Sequence, residues 1–206
     1  MANIIIVPGI MSSLPLSNNA NDRKIVKEVY RKDFELVKKV LQGDQFAFGV
    51  LVRQYQLQVA KTVIGMLGKT QEAEDVGQEV FIRFYRSMKQ YNGDSALGTY
   101  LTRIAINLSL NALKKQKNKQ AGDLTTVEYQ LSSENTAAQH DTKEVVQKAL
   151  QQLEPEFRSV VVLRMIEGYS TKETAELLKL PLGTVLSRLS RAQTKLKEIL
   201  KKEITH

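Results

Sequence analysis

Apolar residues recur at three- and four-residue intervals along most of the chain, a pattern that predicts helices. Phe34, Val37, Val40 and Leu41 mark a first helix over about 33–42, and Gly43 follows where a left-handed cap residue belongs. Asp44 can cap a longer helix to about Leu67, with Ala47, Phe48, Leu51, Val52, Tyr55, Val59, Val63 and Ile64 inward. Gly68 ends it. Thr70 opens the next helix, which runs to about Met88 with Ala73, Val76, Val80, Phe81, Phe84 and Met88 inward. Glu72, Glu74 and Asp75 in its first turns complement the helix dipole. Asn92-Gly93-Asp94-Ser95 is turn chemistry, and a helix over 99–115 follows it. Residues 145–167 read as supporting helices broken near Glu154-Pro155. Ser170 and Glu173 then match a capping box, ahead of a short helix carrying Ala175, Leu177 and Leu178. Lys179-Leu180-Pro181-Leu182-Gly183 makes a tight turn into a last helix that buries Val185, Leu189, Ala192, Leu196 and Ile199. Strand signals are confined to Ile4–Val7 and Val160–Val162, so the fold class is all-α.

Two of these helices carry more than a core face. At about 100° per residue, Leu101, Ile104, Ala105, Leu108 and Ala112 share one side of the 99–115 helix. Tyr100, Arg103, Asn107, Asn111 and Lys114 form a second stripe, roughly 120° away. Asparagine is a poor helix former, so two of them one turn apart are not there for helicity. An Asn amide can read a base edge, Tyr offers a stacking face, and Arg and Lys suit phosphate. The bland alternative is a solvated face. Against it, no acidic residue lies between Ser95 and Gly122, while Arg103, Lys114, Lys115, Lys117 and Lys119 do. On the last helix, Ser187, Ser190, Arg191 and Thr194 lie opposite the apolar seam, with Arg188 and Lys195 on its flank. Two short helices across a tight turn form a helix-turn-helix pattern, although an ordinary helix pair would look alike.

Charge divides the same chain into pieces. Residues 21–119 hold 18 basic and 10 acidic side chains, net +8; residues 120–142 hold none and 4, net −4; residues 143–206 hold 12 and 8, net +4. The middle piece, rich in Ser, Thr, Gln, Asn and Ala, reads as a flexible linker between two basic helical domains. Residues 1–20 read as a disordered extension: Ile4–Val7 is too short to span a bilayer and no Lys or Arg precedes it. The overall +8 charge favours nucleic acid, an acidic partner or an anionic surface. With no cysteine and only His140 and His206, thiolate or histidine metal sites and histidine catalysis are not expected. No convergent nucleophile, base or metal set is visible, so neither catalytic residues nor a cofactor are expected.

The order of the motifs resembles a bacterial sigma factor of the extracytoplasmic-function (ECF) group, in the sigma-70 superfamily. The matching stretches are 74–81 (EDVGQEVF), 91–97 (YNGDSAL) and 99–107 (TYLTRIAIN) in the first lobe. In the second they are Gly168-Tyr169-Ser170, Glu173-Thr174-Ala175, 181–185 (PLGTV), Ser187-Arg188-Leu189 and Arg191-Ala192. The resemblance covers about 33–203 and implies a sigma region 2 bundle over 21–119 and a region 4 helix-turn-helix over 143–206. It also implies a role for each surface. Asp75, Gln78, Glu79, Phe81, Arg83 and Arg86 would dock on core RNA polymerase through its β′ subunit, with β as the other contact. Asn92, Gly93, Asp94, Ser95 and Ala96 would capture a flipped base. Tyr100, Arg103, Asn107, Asn111, Lys114 and Lys115 would read and melt the minus-ten element. Thr184, Ser187, Arg188, Ser190, Arg191, Thr194 and Lys195 would read the minus-thirty-five element. Promoter DNA and an anti-sigma factor are the other implied partners, in the cytoplasm, with no membrane insertion and no small-molecule substrate. The chain departs from the family in having Tyr100 where Trp is usual, Gly77 in the docking helix, and Leu186 at a place often held by Arg or Lys. A stand-alone helix-turn-helix regulator, or an all-α scaffold without a nucleic-acid role, would share much of this pattern.

Overall fold

The computed structural model describes residues 20–122 and 142–205, and among them every regular element is helical. Helix α1 (Ala20–Leu41), α2 (Gln45–Leu67), α3 (Gln71–Ser87) and α4 (Leu97–Gly122) form the first lobe. Helices α5 (Thr142–Gln151), α6 (Pro155–Val161), α7 (Thr171–Leu178) and α8 (Leu182–Thr205) form the second. The expected punctuation is present. Asp44 accepts from the Ala47 amide at 3.1 Å, Thr70 caps Ala73 in the same way, and Gly43 and Gly68 take positive φ. Ser170 and Glu173 form both bonds of the capping box, and Lys179 adopts the left-handed conformation before Leu180-Pro181.

Two boundaries differ from the sequence reading. Helix α1 begins at Ala20, about thirteen residues before the start at residue 33 read from the sequence. No Gly or Pro interrupts 20–42, and a Glu28–Lys32 pair one turn apart supports the polar half. Of the proposed extension, residues 1–19 lie outside the described residues. Helix α4 runs to Gly122, three residues into the stretch read as linker, and 123–141 lie outside the described residues.

The lobes are packed on each other, which their separate apolar patterns do not foretell. The C-terminal turn of α2 is the contact. Helix-end carbonyls run short of intrahelical donors; Ile64 accepts from the Gly68 amide at 2.8 Å, and the second lobe supplies further donors. Gln147 donates to the Ile64 carbonyl at 2.6 Å, Gln151 to Gly65 at 3.3 Å, and Arg158 to Met66. In return Lys61 donates to the Ile166 carbonyl at 2.6 Å. A π-helical turn, Val162–Ile166, places Val162 against Gly65, where a β-carbon would stand 3.0 Å from a Val162 methyl. Gly65 is what permits this approach. Tyr169 is fully buried and donates to Thr102 on α4 at 3.2 Å. Val162, Leu163, Tyr169 and Leu177 thus join the core of α1–α4 as one cluster.

Candidate nucleic-acid and polymerase interface

Helix α4 is buried on more of its circumference than one apolar seam requires. Leu101, Ala105, Leu108 and Ala112 are buried as expected, with Ile104 half-buried. Thr102, Ile106 and Ser109 are buried too. Thr102 accepts from Gln58 of α2 and from Tyr169, so α4 is held by both lobes. What remains exposed on its middle turns is Asn107, Asn111, Lys114 and Lys115, with Lys117, Asn118 and Lys119 exposed beyond them. The first four are aligned on the outer surface, with no acidic side chain on the helix. An amide-bearing, uniformly cationic strip can contact bases and phosphates together.

The other two stripe residues are more enclosed. Tyr100 is half-buried, edge-on to Phe84 and Tyr91 with centroids 6.0 and 5.3 Å away, and its hydroxyl lies 3.2 Å from that of Ser87. Part of the ring is therefore committed to the protein. Arg103 is half-buried, and its Nε is buried without a hydrogen-bond partner. Just upstream, Asn92, Gly93 and Asp94 are exposed and Ser95 and Ala96 half-buried. Gly93 sits at φ +77°, and buried Tyr91 donates to the Ser95 carbonyl at 2.8 Å, closing the turn. Burial, with the nearby Asp33 carboxylate next, pushes the Tyr91 phenol upward, so it stays a neutral donor.

On α3, Asp75, Gln78, Arg83 and Arg86 are exposed and Glu79 half-buried, with an Arg83–Glu79 pair at 3.0 Å. Phe81 instead packs against the core of the lobe and belongs to the inward side. The sequence reading missed two members of this surface. Ile82 and Tyr85 are exposed, and with Asp75, Gln78, Glu79 and Arg86 they follow helical spacing along one stripe. Tyr85 is braced edge-on by Phe48 at 5.0 Å. The missed signal is the spacing 75, 78, 79, 82, 85, 86. An apolar pair within a polar stripe marks a surface for a protein partner more than for solvent.

In the second lobe, α8 exposes Ser187, Ser190, Arg191 and Thr194, while Thr184 is half-buried. The Ser187 and Thr194 hydroxyls bond back to the carbonyls of Thr184 and Ser190. The flanking cations are engaged. Arg188 meets Glu156 at 2.9 Å, and Lys195 meets Glu154 at 2.5 Å while lying over the Phe157 ring. Both acids stand at the start of α6. Leu182 and Leu186 are exposed beside the start of α8. Among the described residues no acidic or histidine cluster could hold a metal, and no helix is long and apolar enough to cross a membrane.

Comparison with known proteins identifies each lobe with a family region. Residues 51–119 match the family model of sigma-70 region 2, and 143–196 match sigma-70 region 4. The chain is 34% identical to the RNA polymerase sigma-H factor of Pseudomonas aeruginosa over 174 residues, 79% of this chain and 90% of that protein. It is 33% identical to the ECF RNA polymerase sigma-E factor of Escherichia coli over 173 residues, 78% and 90% of the two. Among solved structures, the sigma factor RpoE of Bartonella quintana, in complex with the anti-sigma factor NepR, superimposes with a TM-score of 0.62 at 25% identity. That match covers 75% of this chain and 96% of the other. CnrH, solved with the cytosolic domain of CnrY, shares the fold with a TM-score of 0.59 at 23% identity, covering 83% and 98%. With region 2 carried by α2–α4, region 4 by α5–α8, and nine-tenths of its curated relatives spanned, this chain belongs to the ECF group of sigma-70 factors.

Proposed function

We propose that this sigma factor directs core RNA polymerase to promoters with a minus-ten and a minus-thirty-five element, through three separate surfaces. The α3 stripe of Asp75, Gln78, Glu79, Ile82, Tyr85 and Arg86 docks on polymerase. The 92–96 turn holds a base extruded from the duplex, and the α4 strip of Asn107, Asn111, Lys114 and Lys115 binds the opened strand, with Tyr100 and Arg103 lining its upstream end. The exposed face of α8 centred on Arg191 reads the upstream element. Unstacking a base costs a few kcal/mol, and binding energy from the turn and the cationic strip offsets it without a chemical step. The protein itself catalyses no reaction, acts in the cytoplasm and has an anti-sigma factor as its regulatory partner. Region 2 occupies 21–119, a linker 120–142 and region 4 143–206.

The observation that carries this reading is the acid-free strip of exposed Asn107, Asn111, Lys114 and Lys115 beside the Gly93 turn. Its test is Asn107→Ala in a reconstituted holoenzyme. Transcription from a matched promoter should fall while affinity for core polymerase is unchanged. An equal fall in both would make the strip structural.

A further inference from the structure

Helix α1 precedes the region matched by the sigma region 2 model, which begins at residue 51. It nevertheless lies beneath the base-capture turn. A β-carbon at Gly93 would stand 3.4 and 3.6 Å from Cδ2 and Cε2 of Phe34. The turn backbone thus rests on the Phe34 ring, and Gly93, at φ +77°, suits both the conformation and the close approach. The next residue down fixes α1 itself. Asp33 is 1% exposed, accepts from the Tyr55 hydroxyl and from Gln54 at 2.8 Å, and so ties α1 to α2. Tyr91 closes the turn through the Ser95 carbonyl, with its ring against Phe84 and Tyr100. The turn is held between an aromatic wall from α3 and α4 and a floor from α1.

We infer that α1 is a positioning element for strand opening, in which Phe34 sets the height of the 92–96 turn and Asp33 locks that floor to α2. The inference rests on the proposed role of the turn. An extruded base gains binding energy only if its pocket is formed before the base arrives, since ordering a free turn at that moment would cost conformational entropy. Phe34 touches no DNA in this role. It acts by keeping Gly93 and its neighbours in place.

The test compares two templates with reconstituted holoenzyme: a duplex promoter, and the same promoter with its minus-ten region already unpaired. Phe34→Ala should slow open-complex formation on the duplex by on the order of tenfold or more. Use of the unpaired template, which needs no unstacking, should fall less, and affinity for core polymerase should be unchanged. Phe34→Leu, which keeps the bulk but not the flat ring, should show the same bias in smaller measure, and it decides the matter if the alanine variant does not fold. Equal loss on both templates, or no loss on either, overturns the inference. Asp94→Ala in the same assay separates the two levels. If it opens the duplex poorly while both Phe34 variants open it normally, only the role of α1 falls. If it too opens the duplex normally, the strand-opening role of the turn falls and takes the inference with it.

Discussion

Among the described residues, Asp33 and Glu167 are the two buried carboxyl groups that tie elements together, and both are raised above the ordinary carboxylate range. Burial is the main cause at each. Hydrogen bonds from Tyr55 and Gln54 oppose it at Asp33, and the Lys61 charge with a Thr62 bond opposes it at Glu167. In the window above the ordinary carboxyl value, the folded protein therefore binds more protons than the unfolded one. Stability contributed by these groups is present below that window and is lost as pH rises through their folded values. Asp33→Asn and Glu167→Gln should each flatten the fall in melting temperature above pH 4, and an unchanged slope would show that these groups do not govern it. At the surface, Arg188 and Lys195 have acidic partners that are themselves exposed, and pairs of this kind contribute at most about 1 kcal/mol. A DNA phosphate can replace them at little cost. Glu154→Gln with Glu156→Gln should strengthen upstream-element binding and steepen its salt dependence, whereas Arg191→Ala should weaken it by about 1–3 kcal/mol. Titration of labelled duplex at two salt concentrations measures both.

The elements themselves were largely written in local chemistry. Asp44, Thr70 and the Ser170–Glu173 box are caps whose partners lie three residues away, so sequence distance and spatial distance coincide. Ser170→Ala should accordingly cost about 1 kcal/mol in thermal unfolding and loosen α7 against α8. The same locality explains what could not be read. Thr102 is capped by Tyr169, which arrives from 67 residues away in sequence and leaves no local signal. The first half of α1 is a different case: Ile25, Val26, Val29 and Tyr30 carry the same spacing back from Phe34, but its remaining positions are mostly charged or polar and obscure it. Ile82 and Tyr85 lie off the inward spacing and are exposed, and their apolar character stands out little beside the charged residues of the stripe. Phe81 packs inward as its periodicity indicates, and only the family resemblance places it on the docking surface. For the candidate interface, residue types in the exposed strip were legible, whereas support from Phe34, Tyr91 and the second lobe was not.

At the scale of the whole molecule, the packed lobes pose a geometric problem. Two promoter elements about 25 base pairs apart are separated by about 85 Å of duplex at 3.4 Å per pair. A compact body of about 170 residues has a radius of gyration of only about 15 Å. The second lobe must therefore leave α2 when both elements are bound, giving up the bonds from Gln147, Gln151 and Arg158 to the last turn of that helix. Labels on α4 and α8 should move apart when core polymerase is added. Gly65→Leu, which drives a side chain into Val162, should shift the free protein toward the separated form. The central claim is that one chain brings polymerase to two-element promoters and opens them. Its most direct test is run-off transcription by core polymerase across a library of genomic fragments, with and without the protein. New start sites preceded by two shared sequence elements at a fixed spacing are expected when the protein is present, with Asn107→Ala reducing their use. Start sites identical with and without the protein would contradict that claim.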